Sequence, residues 1–206
     1  TKRRPGERLG NYRLIRLLGR GGFAEVYLGE QVYLQTHAAL KILHTQLTDE
    51  QIIHTFSLEA RTLAHLSHPH IVPVLDFAVQ DGTPFLVLHY APRGSIRNLH
   101  PKGSRLPLST IISYTKQIAS ALQFAHDQRL IHRDVKPENL LLGHHDALLL
   151  SDFGLAITAQ STQDSAIYHI AGTLPYMAPV QLRGNPCYAS DQYALGVMVY
   201  LWLTGR

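Results

Sequence analysis

One polar stretch restricts this chain more than any other: His132-Arg133-Asp134-Val135-Lys136-Pro137-Glu138-Asn139, followed later by Asp152-Phe153-Gly154. Between them lie an apolar run at 140–142, a turn at 143–146 and a second apolar run at 147–150. Two short apolar runs joined by a turn that contains glycine predict a β-hairpin. Because a hairpin brings its two ends together, Asn139 and Asp152 are expected at the same end of it.

The side chains of this stretch suit phosphoryl transfer. The carboxylate of Asp134 can accept the proton of an incoming hydroxyl, and the ammonium of Lys136 can neutralise charge on a migrating phosphoryl group. Asn139 and Asp152 offer hard oxygen ligands, and Mg²⁺ takes only one or two such ligands from a protein. Any one of these residues alone would be interpreted as a loop residue that caps a turn. Their joint occurrence in this order favours phosphoryl transfer.

The order H-R-D-x-K-P-x-N and then D-F-G resembles the catalytic loop and the metal motif of the eukaryotic-type serine/threonine protein kinases. The resemblance implies an α+β, protein-kinase-like fold of two lobes. The N-lobe would contain an antiparallel sheet with helix C, and the mainly helical C-lobe would end after helix F. The implied limits are a basic leader at 1–11 and a kinase domain at 12–206, with the N-lobe at about 12–91 and a partial C-lobe at about 92–206. In this family a lysine at the position of Lys136 indicates Ser or Thr acceptors.

A glycine-rich turn lies between two β-prone runs, at 12–18 and 26–28. Glycines let a backbone approach phosphates closely. A G-x-G pattern alone is a weak signal, because dinucleotide-binding folds also contain one, but those folds need a helix after the turn. Here the residues after the turn are typical of a strand. The kinase resemblance therefore implies nucleotide contacts from Leu18, Gly19, Arg20, Gly21, Gly22 and Val26.

The sequence Ala38-Ala39-Leu40-Lys41 resembles the V-A-I-K strand of the family, in which the lysine binds the α- and β-phosphates of ATP. A lysine that ends an apolar strand is more often a surface residue. Apolar residues recur at helical spacing from 49 to 66, which predicts a helix. Glu59 in that helix is the implied partner of Lys41, with an exposed helix glutamate as the alternative.

An apolar strand at 85–88 leads into a turn-rich connector. It resembles the family's hinge, with Leu88 as gatekeeper and backbone groups of His89, Tyr90 and Ala91 at the adenine edge. Glu often stands where this chain has His89. The resemblance also implies an adenine pocket lined by Val26, Ala39 and Leu141, and a regulatory column of Leu63, Val74, His132 and Phe153.

The activation segment is expected at 152–179. A phosphate on it could pair with Arg133 and order it, and the candidate phosphosites are Ser161, Thr162, Ser165 and Tyr168. Thr173 matches the family's threonine that hydrogen-bonds the catalytic aspartate and lysine. Val180 replaces the glutamate of the A-P-E motif. Asp191 matches the helix-F aspartate that braces the catalytic-loop backbone.

Composition agrees with one folded enzyme domain. The 206 residues are 45% hydrophobic and 17% charged, which favours a sizeable core over disorder. The single cysteine, Cys187, excludes an internal disulfide, and a net charge of +4 without a basic stripe gives no indication of nucleic-acid binding. The apolar run at 193–204 predicts a buried helix that is too short to span a bilayer. With no signal peptide visible, a cytoplasmic chain without a membrane segment is expected.

The implied reaction is in-line transfer of the γ-phosphoryl group of ATP, with Mg²⁺ or alternatively Mn²⁺, to Ser or Thr hydroxyls of proteins. The catalytic set is Asp134, Lys136, Asn139, Asp152 and Thr173, with Asn139 and Asp152 as metal ligands. Autophosphorylation in signalling, in trans within a homodimer, is left open. The glycine-rich sequence and Ser190-Asp191-Gln192-Tyr193-Ala194-Leu195-Gly196 resemble the bacterial branch, whose members often carry a membrane segment and a sensor domain further on, so a membrane-anchored parent is left open too.

Two alternatives remain. A small-molecule kinase of the aminoglycoside phosphotransferase type shares the fold, but it lacks the context of Thr173 and Ala178-Pro179. A non-catalytic nucleotide-binding pseudokinase or scaffold module is favoured by Val180 and by an end at Arg206, directly after helix F. The complete set of charged and polar residues from Lys41 to Asp152 argues against it.

Overall fold

The computed structural model describes residues 3–22, 24–44, 50–153 and 173–206. These residues form two compact units. The first consists of the described residues of 3–66 together with 73–90, and the second consists of 67–72, 91–153 and 173–206. The chain enters the second unit at 67–72, returns to the first at Pro73, and enters the second again between Tyr90 and Ala91. The limits that the sequence implied for the leader and the two lobes stay predictions.

The first unit is an antiparallel sheet with one helix. Its strands are β1 (Arg8–Leu9), β2 (Tyr12–Arg20), β3 (Ala24–Gln31), β4 (His37–Leu43), β5 (Val74–Gln80) and β6 (Thr83–His89), and helix α1 is Glu50–Ala64. The strands follow one another across the sheet in the order β1-β2-β3-β4-β6-β5. The predicted β-prone runs and the predicted helix are confirmed.

Strand alternation divides the side chains of this sheet between two faces. One face carries the core cluster of Leu9, Leu14, Tyr27, Ala38, Leu40, Ile42, Phe85 and Val87. The other face carries Val26, Lys41 and Leu86. The strand register places Val26 opposite Lys41 and Lys41 opposite Leu86. A register shift in β2 after Leu17 places Gly19 opposite Val26. The glycine-rich turn and Lys41 are thereby brought to the same region of one face.

The second unit is mainly helical. Its elements are α2 (Ile96–Leu99), α3 (Leu108–Asp127), β7 (Leu140–Leu142), β8 (Leu148–Leu150), α4 (Pro179–Leu182) and α5 (Tyr188–Thr204), with single 3₁₀ turns at Pro137–Asn139, His144–Asp146 and Leu174–Tyr176. Strands β7 and β8 pair with Leu140 opposite Leu150, so the predicted hairpin is confirmed. The sheet unit and the helical unit together confirm the predicted α+β class.

Helices α3 and α5 form the core of the second unit. Their packing includes an edge-to-face contact between Tyr114 and Trp202, with ring centroids 5.9 Å apart. Helix α5 ends at Thr204 and is capped by Gly205, whose φ of 74° is the left-handed conformation that glycine adopts without strain. The prediction of a buried helix at 193–204 is correct for Ala194, Leu195, Met198 and Trp202, which are buried, and wrong for Tyr193 and Tyr200, which are exposed. Within the described part of the chain, none of the helices has the length and apolarity that crossing a bilayer requires.

Candidate active site

The polar stretch at 132–139 is fixed by a buried carboxylate on α5. Asp191 Oδ2 accepts the backbone N–H of His132 at 2.9 Å, and Asp191 Oδ1 accepts that of Arg133 at 2.8 Å. Nε2 of His126, on α3, donates to Asp191 Oδ2 at 2.8 Å. Three donors satisfy a carboxylate that is buried away from water, as burial of a charge requires. The prediction that Asp191 braces this backbone is confirmed.

His132 connects this stretch to the end of the hairpin. Its Nδ1 accepts the backbone N–H of Asp134 at 3.2 Å, so the ring proton is on Nε2, which donates to Ser151 O at 2.9 Å. The ring also meets Phe153 edge to face at 4.5 Å between centroids. Two members of the predicted regulatory column therefore touch within the second unit. The other two, Leu63 and Val74, belong to the first unit.

Four of the predicted catalytic residues form one hydrogen-bonded cluster. Thr173 Oγ1 accepts from Lys136 Nζ at 2.8 Å and donates to Asp134 Oδ1 at 3.0 Å. Lys136 Nζ also lies 2.8 Å from Asp134 Oδ2. Asn139 Nδ2 donates to Asp134 Oδ2 at 2.9 Å and to its backbone oxygen at 2.8 Å. The predicted hydrogen bonds of Thr173 to the aspartate and the lysine are confirmed.

Burial strengthens the electrostatic interactions within this cluster. Lys136, Asn139 and Thr173 are almost completely buried, whereas Asp134 is half-buried and reaches solvent. A buried ammonium needs an opposite charge and hydrogen-bond acceptors nearby, and Asp134 and Thr173 supply them. The solvent-facing carboxylate can receive an acceptor hydroxyl while the lysine beside it stays in place.

Asn139 and Asp152 meet at one end of the hairpin, as the sequence predicted. The residue before Asp152, Ser151, donates both its N–H and its hydroxyl to Asn139 O, at 2.8 and 3.0 Å. Asp152 has a left-handed backbone, with φ of 67°. For a residue other than glycine such a conformation costs about 1–3 kcal/mol and persists only where its surroundings enforce it.

The predicted nucleotide residues of the first unit cluster on the sheet face opposite the core. Gly19, Val26 and Lys41 lie in one row across β2, β3 and β4. Ala39 and Leu88 form the next row on the same face. Leu18 precedes Gly19 in β2, and Glu59 belongs to α1, although its side chain lies outside the described residues.

The glycine-rich turn has its own local bonds. Arg20 Nε pairs with Glu25 Oε1 at 2.7 Å, so this guanidinium already has an anionic partner. Gly21 N–H donates to Ala24 O at 2.8 Å, and Gly22 O lies 3.0 Å from His44 Nδ1. The bond from Gly21 to Ala24 spans the turn between β2 and β3, and the contact with His44 joins this turn to the residue after β4.

The remaining residues that were predicted to contact adenine are divided between the two units. The N–H of His89 donates to Pro73 O at 3.0 Å, so a nucleotide contact from 89–91 would come from the other backbone groups. Tyr90 belongs to the first unit, whereas Ala91 belongs to the second unit, as does Leu141 in β7. The candidate phosphosites Ser161, Thr162, Ser165 and Tyr168, with Gly154, lie outside the described residues.

Several contacts of residues next to the cluster were not predicted. Gln181 Nε2, on α4, donates to Arg133 O at 2.6 Å, and Arg133 has a left-handed backbone with φ of 68°. Arg97, on α2, bonds to Glu138 at 2.7 Å and to the hydroxyl of Tyr176 at 2.6 Å. Glu138 lies inside the motif at 132–139 and Tyr176 closely follows Thr173, so their positions in the sequence already indicated that they lie near the site. Arg97 and Gln181 belong to no motif that the sequence displayed.

The family model "Protein kinase domain" matches residues 12–206. The serine/threonine-protein kinase PrkC of Bacillus subtilis is 34% identical over 204 residues, covering 98% of this chain and 32% of PrkC. The serine/threonine-protein kinase Pkn1 of Myxococcus xanthus is 36% identical over 208 residues, covering 98% of this chain and 30% of Pkn1. The chain thus spans about a third of the length of these curated relatives.

Among solved structures, the crystal structure of the Mycobacterium tuberculosis PknI kinase domain is similar to this chain. The TM-score is 0.74 at 28% sequence identity, and the match covers 99% of this chain and 76% of that one. The likeness therefore extends over nearly all of the sequence.

Proposed function

Since this chain belongs to the protein kinase domain family, we propose that it transfers the γ-phosphoryl group of ATP to serine or threonine hydroxyls of proteins. The relatives support the choice of acceptor, because they are named serine/threonine-protein kinases. The observation that carries the proposal is the cluster in which Thr173 joins Asp134 to Lys136. Autophosphorylation in signalling, with two copies acting in trans, and a cytoplasmic location remain predictions.

The cluster suggests one role for each group. We assign Asp134 the task of orienting the acceptor hydroxyl and accepting its proton. Lys136, held at Nζ by Asp134 and Thr173, would neutralise charge on the transferring phosphoryl group. Thr173 would keep the carboxylate and the ammonium at a fixed separation. Because Lys136 and Thr173 are buried, these interactions act in a low dielectric and need little rearrangement during transfer.

Kinases of this family use ATP together with a divalent metal ion, and the oxygen donors here suit a hard cation. Asn139 Nδ2 donates to Asp134, so the amide oxygen Oδ1 is the atom we assign as ligand. The carboxylate of Asp152 is the second proposed ligand. We assign Mg²⁺, with Mn²⁺ as the alternative, and when bound the ion would neutralise phosphate charge and orient the phosphates.

For ATP itself we assign the face of the first sheet that carries Gly19, Val26, Ala39 and Lys41. Glycines allow phosphates to approach the backbone, since they have no side chain to collide with them. Lys41 would bind the α- and β-phosphates with Glu59 as its partner. The backbone of 89–91 would contact the adenine edge, and Leu88 would be the gatekeeper residue.

The test is phosphate incorporation by the purified chain with Mg-ATP, followed by intact mass and by a library of Ser, Thr and Tyr peptides. Asp134→Asn removes the proposed base, so we expect incorporation to fall by about 10³-fold. The matched control is Asp127→Asn, which changes an exposed carboxylate at the end of α3 in the same unit. Chelation of the metal by EDTA should abolish transfer in the wild type and in the control.

Three results would contradict the proposal. Equal incorporation in Asp134→Asn and wild type would show that the cluster is not the catalytic centre. Phosphate on Tyr peptides alone would remove the Ser/Thr assignment. Binding of Mg-ATP without any incorporation in the wild type would favour a nucleotide-binding module that does not catalyse transfer.

A further inference from the structure

The side chain of Arg97 joins three separate parts of the second unit. It projects from α2, and its Nε donates to Glu138 Oε1 at 2.7 Å while its Nη2 donates to the hydroxyl of Tyr176 at 2.6 Å. The planar guanidinium presents donors in a fixed fork, so one arginine can hold two acceptors at a defined angle, which a lysine cannot. Arg97 is therefore suited to set the distance between Glu138 and Tyr176.

Both partners adjoin the catalytic cluster. Glu138 precedes Asn139 in the 3₁₀ turn Pro137–Asn139, and Asn139 donates to Asp134. Tyr176 ends the 3₁₀ turn Leu174–Tyr176, which directly follows Thr173. The catalytic loop and the segment that carries Thr173 are thus each held by one arm of the same guanidinium.

The surroundings stabilise the hydrogen bonds of Arg97 to Glu138 and Tyr176. Burial lowers the pKa of Arg97, but the hydrogen bond to Glu138 and the interactions with Tyr176 outweigh it and raise that pKa above its ordinary value. Burial raises the pKa of the Tyr176 hydroxyl, which therefore stays protonated and neutral at physiological pH. The side chain of Arg97 is 20% exposed, against 41% for Glu138, so water competes little for the guanidinium.

We propose that Arg97 is a positioning residue for phosphoryl transfer, because it ties Glu138 to Tyr176 and so fixes Thr173 against Asp134 and Lys136. The inference rests on the proposed function. It assigns Arg97 no contact with the substrate or with the nucleotide. Loss of the tether would misplace the Thr173 hydroxyl, and small misplacements in an active site are costly to the rate.

The chain offers a matched control in Arg93. Its NH1 group pairs with Asp146 at 2.6 Å in the same unit, with side chains 47% and 78% exposed. Neither of these residues hydrogen-bonds to the catalytic cluster in the described structure. Arg93→Gln removes a comparable ion pair and should leave kcat and KM within about twofold of the wild type.

The experiment compares Arg97→Gln, Arg97→Lys, Glu138→Gln and the double variant Arg97→Gln/Glu138→Gln, each normalised to the folded fraction by nucleotide titration. We expect Arg97→Gln to lower kcat about tenfold or more with the KM for ATP nearly unchanged. Arg97→Lys should recover part of kcat, since it keeps the charge. The kcat of the double variant should be only slightly lower than that of Arg97→Gln, because Glu138→Gln breaks an interaction that Arg97→Gln has already removed.

Equal kcat in Arg97→Gln and Arg93→Gln, or a loss of thermal stability without a loss of kcat per folded molecule, would overturn the proposal. Fully additive losses in the double variant would overturn it as well. If the wild type transfers no phosphate, the proposed function fails and amide hydrogen exchange becomes the test. Arg97→Gln should then raise exchange in both 134–139 and 173–178 relative to Arg93→Gln, and unchanged exchange in either segment would refute the tether.

Discussion

The hydroxyl of Thr173 is the smallest group on which the proposed chemistry depends. It accepts from Lys136 and donates to Asp134, so Thr173→Val preserves the shape of the side chain and removes both hydrogen bonds. We expect kcat to fall about 100-fold, in line with the loss of one group that stabilises transition-state charge. Steady-state kinetics with a Thr peptide at saturating ATP provide the measurement.

Thr173→Ser is the control for this change, because it keeps the hydroxyl and loses one methyl group. Its kcat should stay within a few-fold of the wild type. A Val variant as active as the wild type would show that Lys136 and Asp134 hold their positions without the hydroxyl. The proposed role of Thr173 would then be wrong.

The sequence made most of this cluster predictable, because the motif at 132–139 places Asp134, Lys136 and Asn139 within a few residues of one another. Arg97 was not predictable in the same way. Its partner Glu138 is 41 residues away, and a surface arginine that forms such a bond has the same local sequence as one that faces water. Only the folded structure shows which arginine forms hydrogen bonds to two acceptors.

Strand β1 is the element that the sequence pattern failed to indicate. The sequence analysis placed residues 1–11 in a leader, yet Arg8 and Leu9 pair with β2 and Leu9 is completely buried in the core cluster. Two residues are too short to display strand alternation. The helix at 50–64 did display its period, and the hairpin at 140–150 was indicated by two apolar runs around a turn that contains glycine, so both were predicted almost to their ends.

The register of β2 was also beyond the sequence. Alternation of apolar and polar residues gives the face of each side chain only while the strand is regular. The shift between Leu17 and Gly19 inserts an extra residue. This irregularity brings Gly19 opposite Val26, so the arrangement of the proposed phosphate-binding face depends on a bulge that no period reveals.

Leu9→Ala tests whether β1 is part of the folded unit. Truncation of a fully buried leucine leaves a cavity, so we expect the free energy of unfolding to fall by about 2–5 kcal/mol. Urea denaturation followed by circular dichroism measures it. The control Leu34→Ala truncates a leucine that is 72% exposed in the turn between β3 and β4, and it should change stability by less than about 0.5 kcal/mol. Equal effects of the two changes would mean that β1 adds no stability.

The fold class of the complete chain followed from its motifs, because each motif requires a particular element on either side of it. The glycine-rich turn needs two strands and the catalytic loop needs a hairpin, and both are present.

Acid is expected to destabilise the complete chain through two of its histidines. Burial, and then the charge of His70, lowers the pKa of His68 below 6.5. Burial lowers the pKa of His100 in the same direction. His68 stacks on Phe124 at 5.2 Å, and its Nδ1 accepts the N–H of His70 at 3.1 Å, so protonation at Nδ1 would remove an acceptor inside the folded unit.

The direction of the pH dependence follows from proton uptake. Below about pH 6.5 the unfolded chain binds a proton at each of these two histidines. The folded chain binds that proton only at a lower pH, because its histidine pKa values are lowered, so proton binding in between favours the unfolded state. Stability is therefore complete above that pH, falls as the pH drops through the unfolded pKa, and levels off once the folded pKa has been passed.

We expect the variant His68→Gln/His100→Gln to lose less stability than the wild type between about pH 7.5 and pH 5.5. Urea denaturation at several pH values in this range provides the slopes. The control is His144→Gln, at an exposed position of the hairpin turn, and it should keep the wild-type slope. An unchanged slope in the double variant would assign the acid sensitivity of the chain to other groups.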